Sequence, residues 1–150
     1  MIYINHNSAI QQLEQIINSD LDRNTSYIPS KFNKQQHQAL KILKKRIFLE
    51  EVIEESISFN NSLRCKSTHN SLKLVSNAEE LIRVFELRSK VYTDIGYQHE
   101  FPDTIEGLNF DKYDMNAAIL FYETNKKTTG TTRLIFDSQN GLPTEKKSFV

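Results

Sequence analysis

Four charged side chains in the second half of the sequence are spaced to do chemistry. Asp111 and Asp114 stand in the stretch FDKYD, just ahead of an apolar run, and Arg133 follows in GTTRLIF. Arg88 precedes them, three residues from Phe85, four from Val84 and seven from Leu81. On a helix that spacing puts its guanidinium on the apolar face, where an unpaired charge is costly. On a strand, alternation places Arg133 with Thr131 and Ile135, opposite Thr132, Leu134 and Phe136, and both faces are expected to be at least half covered. Each arginine therefore needs a carboxylate, and bidentate pairing with Asp111 or Asp114 supplies one.

Two chemistries are open to such a set. Physics alone favours a buried ion-pair cluster that fixes a loop against a sheet, because structural networks perturb charges as catalytic ones do. The second is a ligand site. Between Asp94 and Asp114 the acids are Asp94, Glu100, Asp103, Glu106, Asp111 and Asp114, and the only lysine or arginine is Lys112. That excess of carboxylates would leave a negative site suited to a cationic or amino ligand. Tyr92, Tyr97, Phe101, Phe110 and Tyr113 either line such a pocket or pack on the sheet, and packing is the expected fate of most.

Other familiar chemistries find no support. Gly96, Gly107, Gly130 and Gly141 are too dispersed for a Walker loop or a dinucleotide fingerprint, and no Ser/His/Asp arrangement stands out. His6, His37, His69 and His99 lie far apart without partners at metal-ligand spacing, so no metal site is expected. The single cysteine, Cys65, reads as a bystander.

The elements that must position these residues form an α+β pattern. Ser8-Ala9-Ile10-Gln11 has capping-box form, and Ile10, Leu13, Ile16 and Ile17 predict a helix over Ser8 to Ser19. A longer helix is expected from Lys34 to Ile57; its apolar residues cover more than one narrow stripe, as in a core helix. Residues 58–72 read as a linker, giving a helical region over 1–72 and a second domain over 73–150. In that second domain Lys73 to Val75 is a strand, and a capping box at Ser76-Asn77-Ala78-Glu79 opens a helix ending near Thr93 before Gly96. After an irregular acidic segment, Ala117 to Tyr122 and Thr131 to Phe136 predict an antiparallel hairpin joined by ETNKKTTG. The order β, α, loop, β, β is not doubly wound.

Composition limits the partners. In 150 residues, Lys+Arg and Asp+Glu both number 19, so no overall positive field gathers nucleic acid. No window approaches the roughly 18 apolar residues that span a bilayer, and MIYINHNSAI lacks the form of a signal peptide. The expectation is a cytoplasmic protein.

The stretches ELRSKVYTDIGY, FPDTIEGLNFDKYD, GTTRLIF and GLPTEKKSF, taken together and in order, resemble the N-terminal half of the acyl-homoserine-lactone (autoinducer) synthase branch of the GNAT acyltransferases, and the acyltransferases associated with exosortase systems. The resemblance covers Leu74 to Phe149. It implies a partial GNAT-like fold and transfer of an acyl group from acyl carrier protein or acyl-CoA, with no tightly bound cofactor, to a small-molecule amine. In autoinducer synthases that amine belongs to S-adenosylmethionine. By position, Arg88 matches the family's helix arginine, Asp111 and Asp114 the aspartates of its ExDxYD-like motif, and Arg133 the strand arginine of GTxRL. The resemblance makes these four, with Tyr92 and Tyr97 as cavity aromatics, substrate-binding residues.

This sequence departs from the family pattern in two places. Asn109 stands where autoinducer synthases have a glutamate, which leans away from S-adenosylmethionine and toward the exosortase type or an uncharacterised relative. The sequence also stops at Val150, before the splayed fourth strand and the helix N-terminus that hold pantetheine and pyrophosphate in GNAT enzymes. An incomplete catalyst is therefore expected, with no general base or oxyanion stabiliser assigned. The alternative is a non-catalytic assembly module, whose open sheet edge would pair with a second copy as a homodimer.

Overall fold

The computed structural model describes Gln11, Gln15 and residues 31–63 and 71–146. The helix expected over Ser8 to Ser19 lies outside these apart from Gln11 and Gln15, which are helical, and so do Cys65 and residues 64–70 of the expected linker. Contacts divide the chain into Met1–Phe48 and Leu49–Val150. In the first unit, Leu40 is buried. The second unit carries the sheet and the four charges.

Helix α1, Lys31–Ser62, runs five residues beyond its expected end at Ile57. Its buried residues in the second unit, Val52, Ser56 and Asn60, recur every fourth position. That is one narrow stripe, two-thirds of it polar, which apolar patterning could not reveal. Asn60 explains the extension. Its Nδ2 donates to the Ala117 carbonyl at 3.0 Å, and its Oδ1 accepts from the Ile119 N–H at 2.9 Å.

Those backbone groups need a partner because strand β1, Leu72–Leu74, is short. It pairs antiparallel with β2, Ala117–Thr124, and Val75 N–H still donates to the Ile119 carbonyl at 2.9 Å. There β1 stops. The Asn60 amide supplies the donor and acceptor that a longer strand would have offered, so the buried edge of β2 is satisfied by a side chain.

Strand β3, Lys127–Ile135, completes a sheet in the order β1-β2-β3. The hairpin turn is tighter than expected. Thr124 pairs with Lys127 across only Asn125 and Lys126, which have φ of 52° and 62°, and Gly130 lies within β3. Such a two-residue turn usually carries Asn-Gly, and the lysine at its second position hid it in the sequence. A register shift between Tyr122 and Glu123 marks a bulge beside the turn.

Helix α2, Ala78–Asp94, begins at Asn77, whose side chain accepts from the Glu80 N–H. The capping partner is Glu80, one residue later than expected, and its carboxylate takes the Ser76 N–H and hydroxyl. Glu79 pairs instead with Arg83. Gly96, at φ 78°, follows the helix end and donates to the Thr93 carbonyl.

Leu81, Val84 and Phe85 of α2 are buried, as are Ala117, Ile119 and Phe121 on alternate positions of β2, and α2 contacts β3. Each large apolar side chain here contributes about 1.5–3 kcal/mol on burial. The opposite sheet face is open. Leu134 is 64% exposed and Phe136 40%, so the expectation that both faces of β3 are at least half covered fails at Leu134.

Candidate functional site

The four charges foreseen in the sequence meet on the covered face. Register places Arg133 opposite the buried Ile119, and Arg88 projects from α2. Asp111 and Asp114 come from a 3-10 turn, Lys112–Asn116, that leads into β2. Spacing inside FDKYD builds this turn. The Asp111 side chain accepts from the Tyr113 N–H at 2.9 Å, while Asp114 Oδ2 reaches back to the Asp111 N–H at 3.0 Å. The D-x-x-D pattern is thus a reciprocal capping box, whose local hydrogen bonds help to orient both carboxylates.

Asp114 is the centre. Its side chain has no exposed surface, and Arg88 Nη1 lies 2.9 Å and 3.0 Å from its two oxygens. Arg133 Nη1 adds a contact of 3.0 Å to Oδ1. Arg133 also grips Asp111 as a fork, with Nη1 at 2.7 Å from Oδ1 and Nη2 at 2.9 Å from Oδ2. Arg88 is further held 5.5 Å from the Phe85 ring centroid, and Phe85 stacks on Phe110.

Two acids against two bases make this network neutral, unlike the negative site that the excess of carboxylates suggested. The other acids are engaged elsewhere or exposed. Asp94 pairs with Lys90, and Asp103 accepts from the Ser89 hydroxyl at 2.6 Å and the Gly107 N–H at 3.0 Å. Glu106 is exposed.

Exposure divides the network into an inner and an outer pair. Arg88 and Asp114 are 10% and 0% exposed at the side chain, whereas Arg133 and Asp111 are 25% and 45%. Any ligand meets the outer pair. Burial pushes the Asp111 carboxyl upward, but hydrogen bonding and charge from Arg133, the Tyr113 N–H and the Arg88 charge together hold it below its ordinary value. Burial works against the Arg133 guanidinium, and the two aspartates more than reverse this, raising its pKa. Both outer groups are therefore charged at neutral pH. Within the four-charge network one buried donor remains: Arg88 Nη2 has no hydrogen-bond partner among the described residues.

The expected aromatics take no part in the ion-pair and hydrogen-bond network of the four charges. Tyr92 stacks on Phe101 with centroids 4.9 Å apart, and Tyr97 is 48% exposed. Neither ring is hydrogen-bonded or stacked to the four charges among the described residues. Asn109 donates through Nδ2 to the Phe101 and Pro102 carbonyls at 3.0 and 3.4 Å. A carboxylate could not make those bonds.

Sequence reasoning missed the contacts of Asn60 with β2 and of Asp103 with Ser89, which brace elements that carry the site. Asp103 lay in the acidic segment and could have been matched to a hydroxyl on α2. Asn60 left no such signal.

Among the described residues no group of histidine, cysteine and carboxylate side chains is arranged to hold a metal, and no helix is long and apolar enough to cross a membrane.

Residues 83–149 match the family model described as N-acyl amino acid synthase FeeM. The match begins within α2 and contains all four members of the charge network. Over that stretch the chain is similar to an acyltransferase family, which agrees with the acyl-transfer chemistry expected from the sequence. No curated protein and no solved structure matches the chain.

Proposed function

We propose that this protein is an N-acyltransferase of the GNAT type, related to the autoinducer synthases, that acylates the amino group of an amino acid. The observation that carries the reading is the family match over residues 83–149. The donor is acyl carrier protein or acyl-CoA. The amine attacks the thioester carbonyl, the C–N bond forms as the C–S bond breaks, and the thiol leaves while the amine gives up its proton.

The outer pair supports an amino acid as acceptor. Asp111 offers an accessible anion and Arg133 an accessible cation, held at fixed spacing by the inner pair. An amino acid carries the complementary ammonium and carboxylate, which would add to the exposed edge of this pair or exchange with part of its bidentate bond. Arg88 and Asp114 act as positioning residues behind it. Tyr92 and Tyr97 belong to the same proposal as walls of the acceptor cavity. S-adenosylmethionine is the weaker acceptor candidate, because Asn109 replaces the glutamate and its amide serves the 101–102 backbone.

Product formation tests this. Purified protein is incubated with fatty acyl-CoA or fatty acyl carrier protein and single amino acids, and N-acyl products are read by mass spectrometry. An N-acyl amino acid supports the reading. Product from S-adenosylmethionine alone would replace the acceptor, and no N-acyl product from any amine would overturn it.

A further inference from the structure

Between α2 and the β2–β3 turn lies a groove lined by Arg83, Glu86, Leu87 and Lys90 from the helix and by Lys126, Lys127 and Thr128 from the hairpin. It encloses about 330 Å³, at the small end of the range for small-molecule sites. Among the described residues that line it, Arg83, Lys90, Lys126 and Lys127 face one carboxylate, Glu86. We propose that this groove binds the phosphate group of a phosphorylated small molecule, at a site separate from the Asp111–Arg133 pair.

The cations are available. Arg83 and Lys90 pair only with Glu79 and Asp94 one helical turn away on the surface of α2, and such exposed pairs are weak. Lys126 and Lys127 have no ion-pair partner among the described residues. Two such ammonium groups match the charge of a phosphomonoester near neutral pH.

The backbone gives an independent reason. Lys126 adopts φ 62° at the turn position where glycine is preferred. A side chain in this conformation costs roughly 1–2 kcal/mol, and strain of this kind concentrates at functional sites. The bulge between Tyr122 and Glu123 sets the neighbouring register, in which Thr128 pairs with Glu123. Thr128 Oγ1 is buried and has no hydrogen-bond partner among the described residues. A hydroxyl with unmet capacity, on a residue lining a concave basic site, suits a compact phosphate better than the broad surface of an acidic protein.

Titration calorimetry of the full chain with pyrophosphate provides the test, with a polyglutamate peptide as the competing probe. Two variants are compared, Lys126→Gly and Lys127→Gln. Lys126→Gly removes the ammonium while relieving the strained φ, so its melting temperature should be unchanged or higher. Each variant should weaken pyrophosphate binding about tenfold or more, as expected for loss of a charge-assisted contact. Absence of pyrophosphate binding to the unaltered chain, binding by both variants as tight as that of the unaltered chain, or binding of polyglutamate alone would overturn the proposal. Because no acyl transfer is measured, its failure leaves the acyltransferase reading untouched.

Discussion

Arg88 and Asp114 form the inner bond of the site, with Nη1 at 2.9 Å and 3.0 Å from the two carboxylate oxygens and the aspartate side chain wholly shielded from solvent. Asp114 also receives Arg133 and the Asp111 N–H, so one carboxylate ties α2, β3 and the turn before β2 together.

Removing that carboxylate should unfold more than it inactivates. Asp114→Ala leaves Arg88 buried without its ion partner, and breaking a buried pair costs about 3–5 kcal/mol. Arg88→Met should cost less, because Asp114 keeps Arg133. Urea denaturation of the two variants reads the difference. Equal losses would mean that Arg133 does not compensate.

Asn60 should matter more than a polar helix residue ordinarily does. Asn60→Ala strands the Ile119 N–H and the Ala117 carbonyl just beyond the end of β1, and two unmet buried groups cost roughly 2–6 kcal/mol. Asn60→Asp, which keeps an acceptor for Ile119 but no donor for Ala117, should also destabilise. A loss below about 1 kcal/mol for Asn60→Ala would show that water replaces the amide.

Acid should act on the outer pair. The folded Asp111 carboxyl lies below its ordinary value of 3.8, so the unfolded chain takes up its proton first as pH falls. The stabilisation is complete above the ordinary value and is lost as pH drops through the folded value. Thermal melts from about pH 6 down to about pH 2 should show this decline, and Asp111→Asn should flatten it. An identical decline in the variant would place the acid sensitivity elsewhere.

The loop that carries Phe101 should depend on an amide donor. Asn109→Glu replaces two N–H bonds with a carboxylate facing the Phe101 and Pro102 carbonyls. Hydrogen exchange over residues 97–110 should accelerate locally while β2 stays protected. Unchanged exchange would mean that the Asp103 contacts alone hold the loop.

What the sequence disclosed was local. Periodicity located α2, and the pairing needs of Arg88 and Arg133 led to Asp111 and Asp114 because each charge sat on an apolar face with carboxylates nearby in the chain. The α+β class followed from element order. Long-range polar contacts did not announce themselves: Asn60 fell in a polar stretch that read as a linker, yet it completes a strand edge 57 residues away. The hairpin turn was misplaced because lysine holds a glycine position, and the surplus of acid does not gather at the site because Asp94 pairs with Lys90 and Asp103 is taken by Ser89 and Gly107.

If Asp111 and Arg133 hold the amino acid acceptor, the steady-state kinetics of Asp111→Asn must reveal it. N-acyl amino acid formation should persist with KM for the amino acid raised about tenfold or more, and KM for the acyl donor unchanged, as for loss of one charge-assisted contact. An unchanged acceptor KM in a folded variant, or a loss confined to the donor, would contradict that role.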